Sequence, residues 1–206
     1  MKIAVVDYGM GNLHSVAKAI HRVAKVTVTI EDTAAGLRQA DRIVFPGQGA
    51  AGETMRALQQ HDLVEPLSQL AADRPFLGIC LGMQVLLQQS AENNGVPTLG
   101  LVSGSVVHLA TLVEPSVKVK IPHMGWNTVN QQTHALWQDI TADARFYFDH
   151  SYVVQPAIDK VTGWTDYGCR FPAAIGQDNW FAVQFHPEKS SHAGLQLLQN
   201  FVHWQP

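Results

Sequence analysis

The chain has 206 residues, of which 46% are hydrophobic and 15% charged, and its formal net charge is −3. This length predicts one domain over residues 1–206, large enough to bury a substantial core. The charge argues against a nucleic acid or an anionic membrane as partner, and no apolar run approaches the ~20 residues of a membrane span. The two cysteines, Cys80 and Cys169, form neither a disulfide framework nor a Cys-x-x-Cys metal pair. The sequence therefore predicts a cytoplasmic protein without a metal site.

The first half of the chain alternates strands with helices. Continuous apolar runs predict buried strands over residues 3–6, 26–30 and 42–45. Helical spacing of apolar residues predicts helices over residues 13–20, 35–39 and 64–70. Asp62, followed three residues later by Glu65, resembles a capping box that opens the last of these helices. This alternation indicates βαβ units and a parallel sheet with helices on both faces.

Two glycine-containing loops follow predicted strands. The Gly9-x-Gly11 turn resembles part of a dinucleotide-binding fingerprint, but the third glycine is missing and Glu31 is only the nearest acidic candidate, so this interpretation is not favoured. The loop over residues 46–53 contains three glycines and lies at the carboxyl edge of the predicted sheet, where ligands bind in doubly wound folds. It is either a simple turn or a loop that offers close backbone approach and free amides to a ligand.

A sharp corner is predicted at Cys80. Residues 76–79 form a short apolar run typical of a buried strand, and apolar spacing predicts a helix from Gly82 onward. Gly78 and Gly82 flank the cysteine at two residues on either side, which is the pattern of a nucleophile elbow with Cys in place of Ser. Glycines leave room where backbone must approach backbone. The alternative is a buried structural cysteine, and the short motif alone does not decide between them.

The second half of the chain has a different sequence pattern. Short β-branched or aromatic segments separated by turn residues predict strands over residues 102–109, 117–121, 126–129, 145–148, 152–154, 161–164, 173–176 and 180–185. We expect these strands to form a largely antiparallel extension of the sheet. An amphipathic helix over residues 193–204 closes the chain.

A cysteine nucleophile requires a base and a group that orients the base. Ten histidines are available, so composition selects none of them. His186 ends a predicted strand, and Pro187 favours an extended backbone at that residue. His186 and Glu188 would then face the same side, so that the carboxylate could hold one ring nitrogen while the other faces a thiol. A surface histidine beside a surface glutamate is the alternative, but the elbow at Cys80 favours a Cys-His-Glu triad.

Several stretches resemble one known family. The Gly78–Gln84 segment and His186-Pro187-Glu188 resemble the class I glutamine amidotransferase domain. Within it, four further stretches resemble the glutaminase subunits of imidazole glycerol phosphate synthase, namely residues 7–13, 46–49, 122–127 and 186–191. The resemblance implies a flavodoxin-like, three-layer α/β/α fold with no cofactor that hydrolyses L-glutamine to glutamate and ammonia. It also implies a heterodimer with a (β/α)₈ cyclase subunit that uses the ammonia to make imidazole glycerol phosphate and an aminoimidazole carboxamide ribotide in histidine biosynthesis.

The same resemblance implies roles for individual residues. Cys80 would be the nucleophile, His186 the general base and acid, and Glu188 the group that orients the histidine. The residues implied to form the oxyanion hole through backbone amides are Gln48, Gly49 and Leu81. The residues implied to contact glutamine are Gly47, Gly49, Gln84, His150, Ser151 and Tyr152. The residues implied to face the cyclase are Asn12, Trp126, Tyr147 and Lys189.

Two positions depart from the family pattern. Gln48 stands where related proteins usually carry a branched apolar residue, and Asp149 stands where an apolar residue usually precedes the His-Ser/Thr-Tyr sequence. Other class I glutaminases, such as the subunits of anthranilate synthase or pyridoxal phosphate synthase, are disfavoured by the Pro-His-Met-Gly-Trp-Asn stretch. A binding protein with a vestigial site would lack a member of the triad, and none is missing. A cysteine peptidase would need a cleft for an extended peptide, on which the sequence is silent.

Overall fold

A computed structural model describes residues 1–206. The strands are β1 (Lys2–Val6), β2 (Thr27–Glu31), β3 (Arg42–Gly47), β4 (Phe76–Cys80), β5 (Gln89–Ser90), β6 (Val96–Pro97), β7 (Gly104–His108), β8 (His123–Thr128), β9 (Asn130–Gln131), β10 (Arg145–His150), β11 (Tyr152–Pro156), β12 (Val161–Asp166), β13 (Arg170–Gln177) and β14 (Trp180–Val183). The helices are α1 (Leu13–Val23), α2 (Ala34–Arg38), α3 (Ala51–Gln60), α4 (Val64–Asp73), α5 (Leu81–Gln84) and α6 (Ser191–His203). None of these helices combines the length and the apolar character needed to cross a membrane.

The main sheet joins strands from both halves of the chain. Its eight strands lie in the order β2-β1-β3-β4-β14-β13-β12-β9. The first five are parallel to one another, and the last three continue the sheet by antiparallel pairing. This arrangement confirms the predicted mainly parallel sheet with an antiparallel extension. Strand β4, which ends at Cys80, lies near the middle of the sheet and is buried along its whole length.

Only part of the second half extends the main sheet, which corrects the prediction. Strands β8 and β10 form a separate antiparallel pair, and β11, β7, β5 and β6 form a third, four-stranded sheet. No strand forms over residues 117–121, where Val117 is 42% exposed and the chain has no partner strand. The alternating valines and lysines of this stretch satisfy a strand pattern but lie in a surface loop.

Apolar side chains cover both faces of the main sheet. In β1, Ile3 and Val5 pack on one face, while Ala4 and Val6 pack on the other. The first face is covered by α1 and α6, and the second by α2, α3 and α4, as the core clusters show. The result is the predicted three-layer α/β/α architecture. It leaves the carboxyl ends of the parallel strands at one edge of the sheet, where Gly47 and Cys80 lie side by side.

Two details of the helices differ from the prediction. Asp62 has a left-handed backbone with φ of 53°, and α4 begins after Leu63 without a side-chain cap, so the predicted capping box is wrong. The helix that follows Cys80 has only four residues, α5. Leu86 and Leu87, which suggested a longer helix, are fully buried in the turn that leads to β5. Their spacing reflects burial in the core and not a continued helix.

Candidate active site

The corner at Cys80 has the geometry of a nucleophile elbow. Cys80 is the last residue of β4, its φ is 56° and its ψ is −111°, and α5 begins at the next residue. A positive φ combined with a strongly negative ψ is unfavourable for a residue with a side chain, and strained residues of this kind cluster at active sites. A Cβ atom at Gly82 would overlap the carbonyl oxygen of Phe45, and one at Gly78 would lie 2.9 Å from the carbonyl oxygen of Gly82. Both glycines are therefore required by close backbone contacts around the cysteine.

A cavity of about 570 Å³ opens beside Cys80. Its lining comes from the ends of several strands and from the loops beyond them. The lining residues are Gln48, Gly49, Cys80, Leu81, Gln84, Glu92, Pro122, Asp149, His150, Ser151, Tyr152, His186 and Lys189. Of the residues predicted to contact a ligand, only Gly47 lies outside this lining. A Cβ atom on Gly47 would lie 2.7 Å from the nitrogen of Gly82, so Gly47 packs beneath the cavity floor.

His186 and Glu188 form a buried pair next to the nucleophile. His186 Nδ1 lies 2.9 Å from Glu188 Oε1, and the two side chains are 5% and 1% exposed. The backbone between them forms a 3₁₀ turn at Pro187–Lys189, so the turn and not an extended chain brings them together. Ser190 holds this turn, because its hydroxyl donates to the His186 carbonyl and accepts from the Tyr147 amide. His186 and Glu188 are thus paired, and Cys80 and His186 line the same cavity.

The electrostatic environment favours the charged form of His186. Burial alone would lower the pKa of this imidazole, but its interactions with Cys80 and Glu188 outweigh burial and raise the pKa to about 10. Since Nδ1 donates to Glu188, it is Nε2 that faces Cys80. The second oxygen of Glu188 is buried without a hydrogen-bond partner. His186 is therefore the single hydrogen-bond partner of this carboxylate, which favours the imidazolium form of the ring.

The loop that follows β3 covers one side of the cysteine. Gly47 pairs with Cys80 in the parallel ladder between β3 and β4, and Gly49 has a φ of 89°. The hydroxyl of Tyr8 lies beneath the loop and donates a 3.1 Å hydrogen bond to the Pro46 carbonyl. Burial raises the pKa of Tyr8 above its usual range. The loop is thus held from below by a protonated phenol.

A chain of hydrogen bonds defines the opposite wall of the cavity. His150 Nδ1 lies 2.9 Å from the carbonyl oxygen of Tyr152, and His150 Nε2 lies 3.0 Å from His123 Nδ1. Because a carbonyl only accepts, His150 carries its hydrogen on Nδ1 and accepts at Nε2 from His123. The remaining nitrogen of His123 lies 3.4 Å from the amide nitrogen of Asn127. Burial lowers the pKa of His123 to about 4 and that of His150 to about 3, so both rings are neutral.

Two polar groups of the site were not singled out from the sequence. Glu92 lines the cavity and accepts a 2.7 Å hydrogen bond from the Ala51 amide at the start of α3. Gln184 is fully buried, and its side-chain nitrogen lies 3.7 Å from Cys80 Sγ. His123, within the stretch 122–127, lies behind the cavity wall, where its Nδ1 is 3.0 Å from His150 Nε2. A polar residue inside the apolar run that precedes His186 is the one signal that could have identified Gln184.

An exposed aromatic surface lies next to the cavity mouth. The rings of Trp126 and Tyr147 are 6.1 Å apart, and Lys189 Nζ lies 5.7 Å from the centre of the Tyr147 ring. Trp126 is 44% exposed and Met124, its neighbour on β8, is 60% exposed. Exposed large apolar side chains grouped in this way are typical of protein interfaces. The fourth residue predicted to face a partner, Asn12, lies before α1 and makes no capping hydrogen bond.

A flavodoxin-like sheet with a cysteine, a histidine and a glutamate gathered at its carboxyl edge is the arrangement that the resemblance to the class I glutamine amidotransferases implies. The model of the family "Glutamine amidotransferase class-I" matches residues 4–204. The imidazole glycerol phosphate synthase subunit HisH of Dechloromonas aromatica is 51% identical over 99% of this chain and 97% of its own length. Subunit HisH 1 of Pseudomonas aeruginosa is 50% identical over 98% of this chain and 96% of its own length. The chain belongs to the class-I glutamine amidotransferases and, within them, to the HisH family.

Solved structures support the same fold. PurLQS from Thermotoga maritima superposes with a TM-score of 0.73 at 14% identity, over 98% of this chain and 97% of the other. The glutaminase domain of CTPS from Trypanosoma brucei, solved with bound acivicin, superposes with a TM-score of 0.66 at 18% identity. The superposition covers 100% of this chain and 95% of the other. At these identities the likeness concerns the fold alone.

Proposed function

We propose that this chain is the glutaminase subunit that supplies ammonia to imidazole glycerol phosphate synthesis in histidine biosynthesis. The observation that carries the proposal is the strained Cys80 corner at the edge of the cavity, beside the buried His186–Glu188 pair. Its relatives across the whole length of the chain carry the name of that synthase subunit. The chain hydrolyses L-glutamine to glutamate and ammonia.

In the first step the Cys80 thiolate attacks the side-chain amide carbon of glutamine. The carbonyl oxygen becomes negatively charged, and we propose that the backbone amides of Gln48, Gly49 and Leu81 stabilise it. Leu81 is the first residue of α5, so its backbone N–H has no carbonyl of a preceding helical turn to bind. His186 donates its Nε2 proton to the amide nitrogen, the carbon–nitrogen bond breaks, and ammonia leaves. The product is a thioester between Cys80 and the glutamyl group.

In the second step water hydrolyses the thioester. Neutral His186 accepts a proton from the water, whose oxygen attacks the thioester carbon. The tetrahedral intermediate collapses, the carbon–sulfur bond breaks, and glutamate leaves while Cys80 returns as the thiolate beside imidazolium. Glu188 keeps the ring in one tautomer and orientation throughout, and its charge stabilises the imidazolium of the resting state.

The cavity wall offers contacts for the rest of the glutamine molecule. We propose that Gly49, Gln84, His150, Ser151 and Tyr152 hold the substrate, with Gly47 shaping the floor beneath it. His150 is held neutral by burial, so it offers no charge to the substrate. The contact of His150 with the Tyr152 carbonyl fixes the backbone over this segment.

The ammonia requires an acceptor enzyme. We propose that the surface around Trp126, Tyr147 and Lys189, together with Asn12, binds a cyclase subunit of (β/α)₈ fold in a heterodimer. The exposed Trp126 and Met124 beside the cavity mouth support this choice of surface. We also propose that the reaction takes place in the cytoplasm, where a reducing environment keeps the Cys80 thiol available.

The test is ammonia release from glutamine by the subunit alone, with its cognate cyclase, and with cyclase plus nucleotide ligand. Glutamate and ammonia should appear in equal amounts when the cyclase is present without an ammonia acceptor, and the Cys80→Ser variant should form neither. Ammonia formation that is unaffected by Cys80→Ser would overturn the assignment. Glutamine hydrolysis without any response to the cyclase would support the glutaminase assignment and overturn the proposed partner.

A further inference from the structure

Gln184 is a fully buried carboxamide in contact with the nucleophile. It follows β14, two residues before His186, and has no solvent exposure. Its Nε2 lies 3.7 Å from Cys80 Sγ, within the range of an N–H···S hydrogen bond. Apart from His186, the carbonyl oxygen of Asp149 also lies near this sulfur, at 3.9 Å. A carbonyl accepts from a thiol but cannot stabilise a thiolate, so Gln184 is the donor on this side of the sulfur.

A neighbouring glutamine fixes the orientation of the Gln184 amide. Gln84 Nε2 lies 3.1 Å from the Tyr152 carbonyl oxygen and 3.1 Å from Gln184 Oε1. Because a backbone carbonyl only accepts, the Gln84 nitrogen must face Tyr152. Its second hydrogen then points at Gln184, which must present oxygen to it. The nitrogen of Gln184 is therefore the atom that faces Cys80 Sγ.

We propose that Gln184 is a catalytic residue of the glutaminase reaction, donating an amide hydrogen to Cys80 Sγ and fixing the orientation of Gln84. This inference rests on the function proposed above. The donated hydrogen favours the thiolate over the neutral thiol, since a hydrogen bond to a charged group is stronger than one to a neutral group. It also fixes the position of the sulfur opposite His186.

The contact with Gln184 also determines which atom of Gln84 faces the substrate cavity. Both amide hydrogens of Gln84 are used inside the protein, so its oxygen is the atom left for the cavity that it lines. An acceptor at that point receives a hydrogen from the carboxamide nitrogen of glutamine. The carboxylate of glutamate has no hydrogen to give and would be repelled. Gln184 thus supports the preference for glutamine over its product.

Packing alone does not account for a carboxamide at this position. The neighbouring residues Val183 and Phe185 are fully buried and apolar, and a methionine would fill a similar volume. Burying an amide is unfavourable unless its hydrogen bonds are made. Here the bonds that compensate the burial go to the nucleophile and to a residue of the cavity wall.

The test uses the complete enzyme with its cyclase, in a Cys169→Ser background so that Cys80 is the single thiol of this chain. Gln184→Met removes both the donor and the acceptor, whereas Gln184→Glu keeps an acceptor for Gln84 but removes the donor and adds a negative charge near the sulfur. We expect kcat to fall roughly 10- to 100-fold in both variants, as for a lost hydrogen bond to a charged group. KM for glutamine should rise in Gln184→Met more than in Gln184→Glu.

A second readout follows the sulfur directly. The rate of alkylation of Cys80 by iodoacetamide is measured as a function of pH. The pH at which this rate rises should be higher in Gln184→Met than in the parent, and higher still in Gln184→Glu. The buried Ile175→Val on β13 is the control for a loss of stability, and its alkylation profile should match the parent enzyme.

Parent-like kcat and an unchanged alkylation profile in both Gln184 variants would overturn the inference. A parent enzyme that released no ammonia from glutamine would instead overturn the proposed function. The alkylation profile would still decide, in that case, whether Gln184 acts on Cys80. The two failures are therefore distinguishable.

Discussion

Glu188 accepts a 2.9 Å hydrogen bond from His186 through one oxygen, while its second oxygen is buried without any partner. A buried carboxylate with a single contact depends on the charge of that contact. The imidazolium is consequently favoured, in agreement with the rise in the pKa of His186 to about 10. The pair therefore starts the reaction with the proton that the leaving ammonia needs.

Removal of the Glu188 charge should slow the reaction without abolishing it. Glu188→Gln keeps a hydrogen-bonding group beside His186 but removes the charge that stabilises imidazolium. We expect a loss in kcat of at least about 100-fold, smaller than the loss for His186→Ala, which removes the proton carrier itself. The measurement is steady-state glutamate formation by the complex with its cyclase. Negligible effects of both substitutions would show that the His-Pro-Glu stretch is only a structural turn.

Cys80 should react with a glutamine-like alkylating analogue in preference to Cys169. Cys80 lies at the cavity beside the imidazolium of His186. Burial raises the pKa of Cys169, and the negative charge of the nearby Asp166 raises it further, so Cys169 stays a less reactive, protonated thiol. Peptide mapping after labelling at neutral pH should find the adduct on Cys80. Excess glutamine should protect Cys80, and Cys80→Ser should abolish labelling. An adduct found mainly on Cys169 would contradict the assignment of the nucleophile.

The central strands and the elbow could be predicted because their causes are local. A continuous apolar run signals a strand buried on both faces, as in β1 and β4, and the glycines on either side of Cys80 reflect contacts with nearby backbone. The length of α5 could not be predicted in this way. Leu86 and Leu87 are buried for reasons of tertiary packing, and burial gives the same apolar spacing in a turn as in a helix.

The polar contacts of the site depend on long-range packing. The contact between Gln184 and Cys80 joins residues 104 positions apart, and that between Glu92 and the Ala51 amide joins residues 41 positions apart. No local pattern encodes such a pair. The separate pairing of β8 with β10 has the same origin, since each strand satisfies its alternation equally well in the main sheet or outside it. The family resemblance supplied the site residues where local patterns did not.

His123 should make the protein sensitive to moderate acid. Burial lowers its pKa to about 4, against 6.5 for an unperturbed histidine. Between these values the unfolded chain binds a proton that the folded protein does not, so the free energy of unfolding decreases as the pH falls from about 6.5 to 4. The expected slope from this group is up to about 1.4 kcal/mol per pH unit.

The matched variant is His123→Gln, which keeps a hydrogen-bond donor toward His150 but does not titrate. Urea unfolding at pH 7 and at pH 4.5 should show a smaller loss of stability in His123→Gln than in the parent protein. The exposed His203 at the end of α6 is the control, and His203→Gln should keep the parent slope. Identical slopes in all three proteins would mean that His123 is already protonated in the fold.

Trp126 should dominate binding to the cyclase. It is a large aromatic side chain, 44% exposed, that packs edge-on against Tyr147 beside the cavity mouth. Aromatic residues at the centre of an interface commonly contribute ~2 kcal/mol or more, so Trp126→Ala should weaken the complex by roughly 30-fold. Ile158, which is 79% exposed and lies outside the predicted interface, is the control. A titration of subunit with cyclase measures both, and equal affinities for Trp126→Ala and Ile158→Ala would place the interface elsewhere.

The loop between β3 and α3 is expected to control activity through Tyr8. The Tyr8 hydroxyl donates to the Pro46 carbonyl at 3.1 Å, and we expect this bond to hold the loop in an orientation that does not aim the Gln48 amide at the oxyanion. Glycines at positions 47 and 49 let the intervening peptide adopt another orientation at modest cost. Loss of one oxyanion donor typically costs ~100- to 1,000-fold in rate. The isolated subunit should therefore be nearly inactive, and cyclase with its ligand should raise turnover by at least ~100-fold.

Tyr8→Phe tests this control directly, because it removes the hydroxyl and keeps the ring that packs against Phe45. Without the hydrogen bond to the Pro46 carbonyl, the loop should reorient more often and present the Gln48 amide to the oxyanion. We expect the glutaminase rate of the isolated subunit to rise, and the ratio of stimulated to basal rate to fall.

Tyr167→Phe is the matched control, since it also removes a hydroxyl that donates to a backbone carbonyl, that of Lys120, at 2.8 Å. Glutamate production by each subunit alone, with cyclase, and with cyclase plus ligand measures the ratio. A Tyr8→Phe subunit with the parent basal rate would show that this hydroxyl does not restrain the loop, and a parent subunit fully active alone would refute the control while leaving the triad intact.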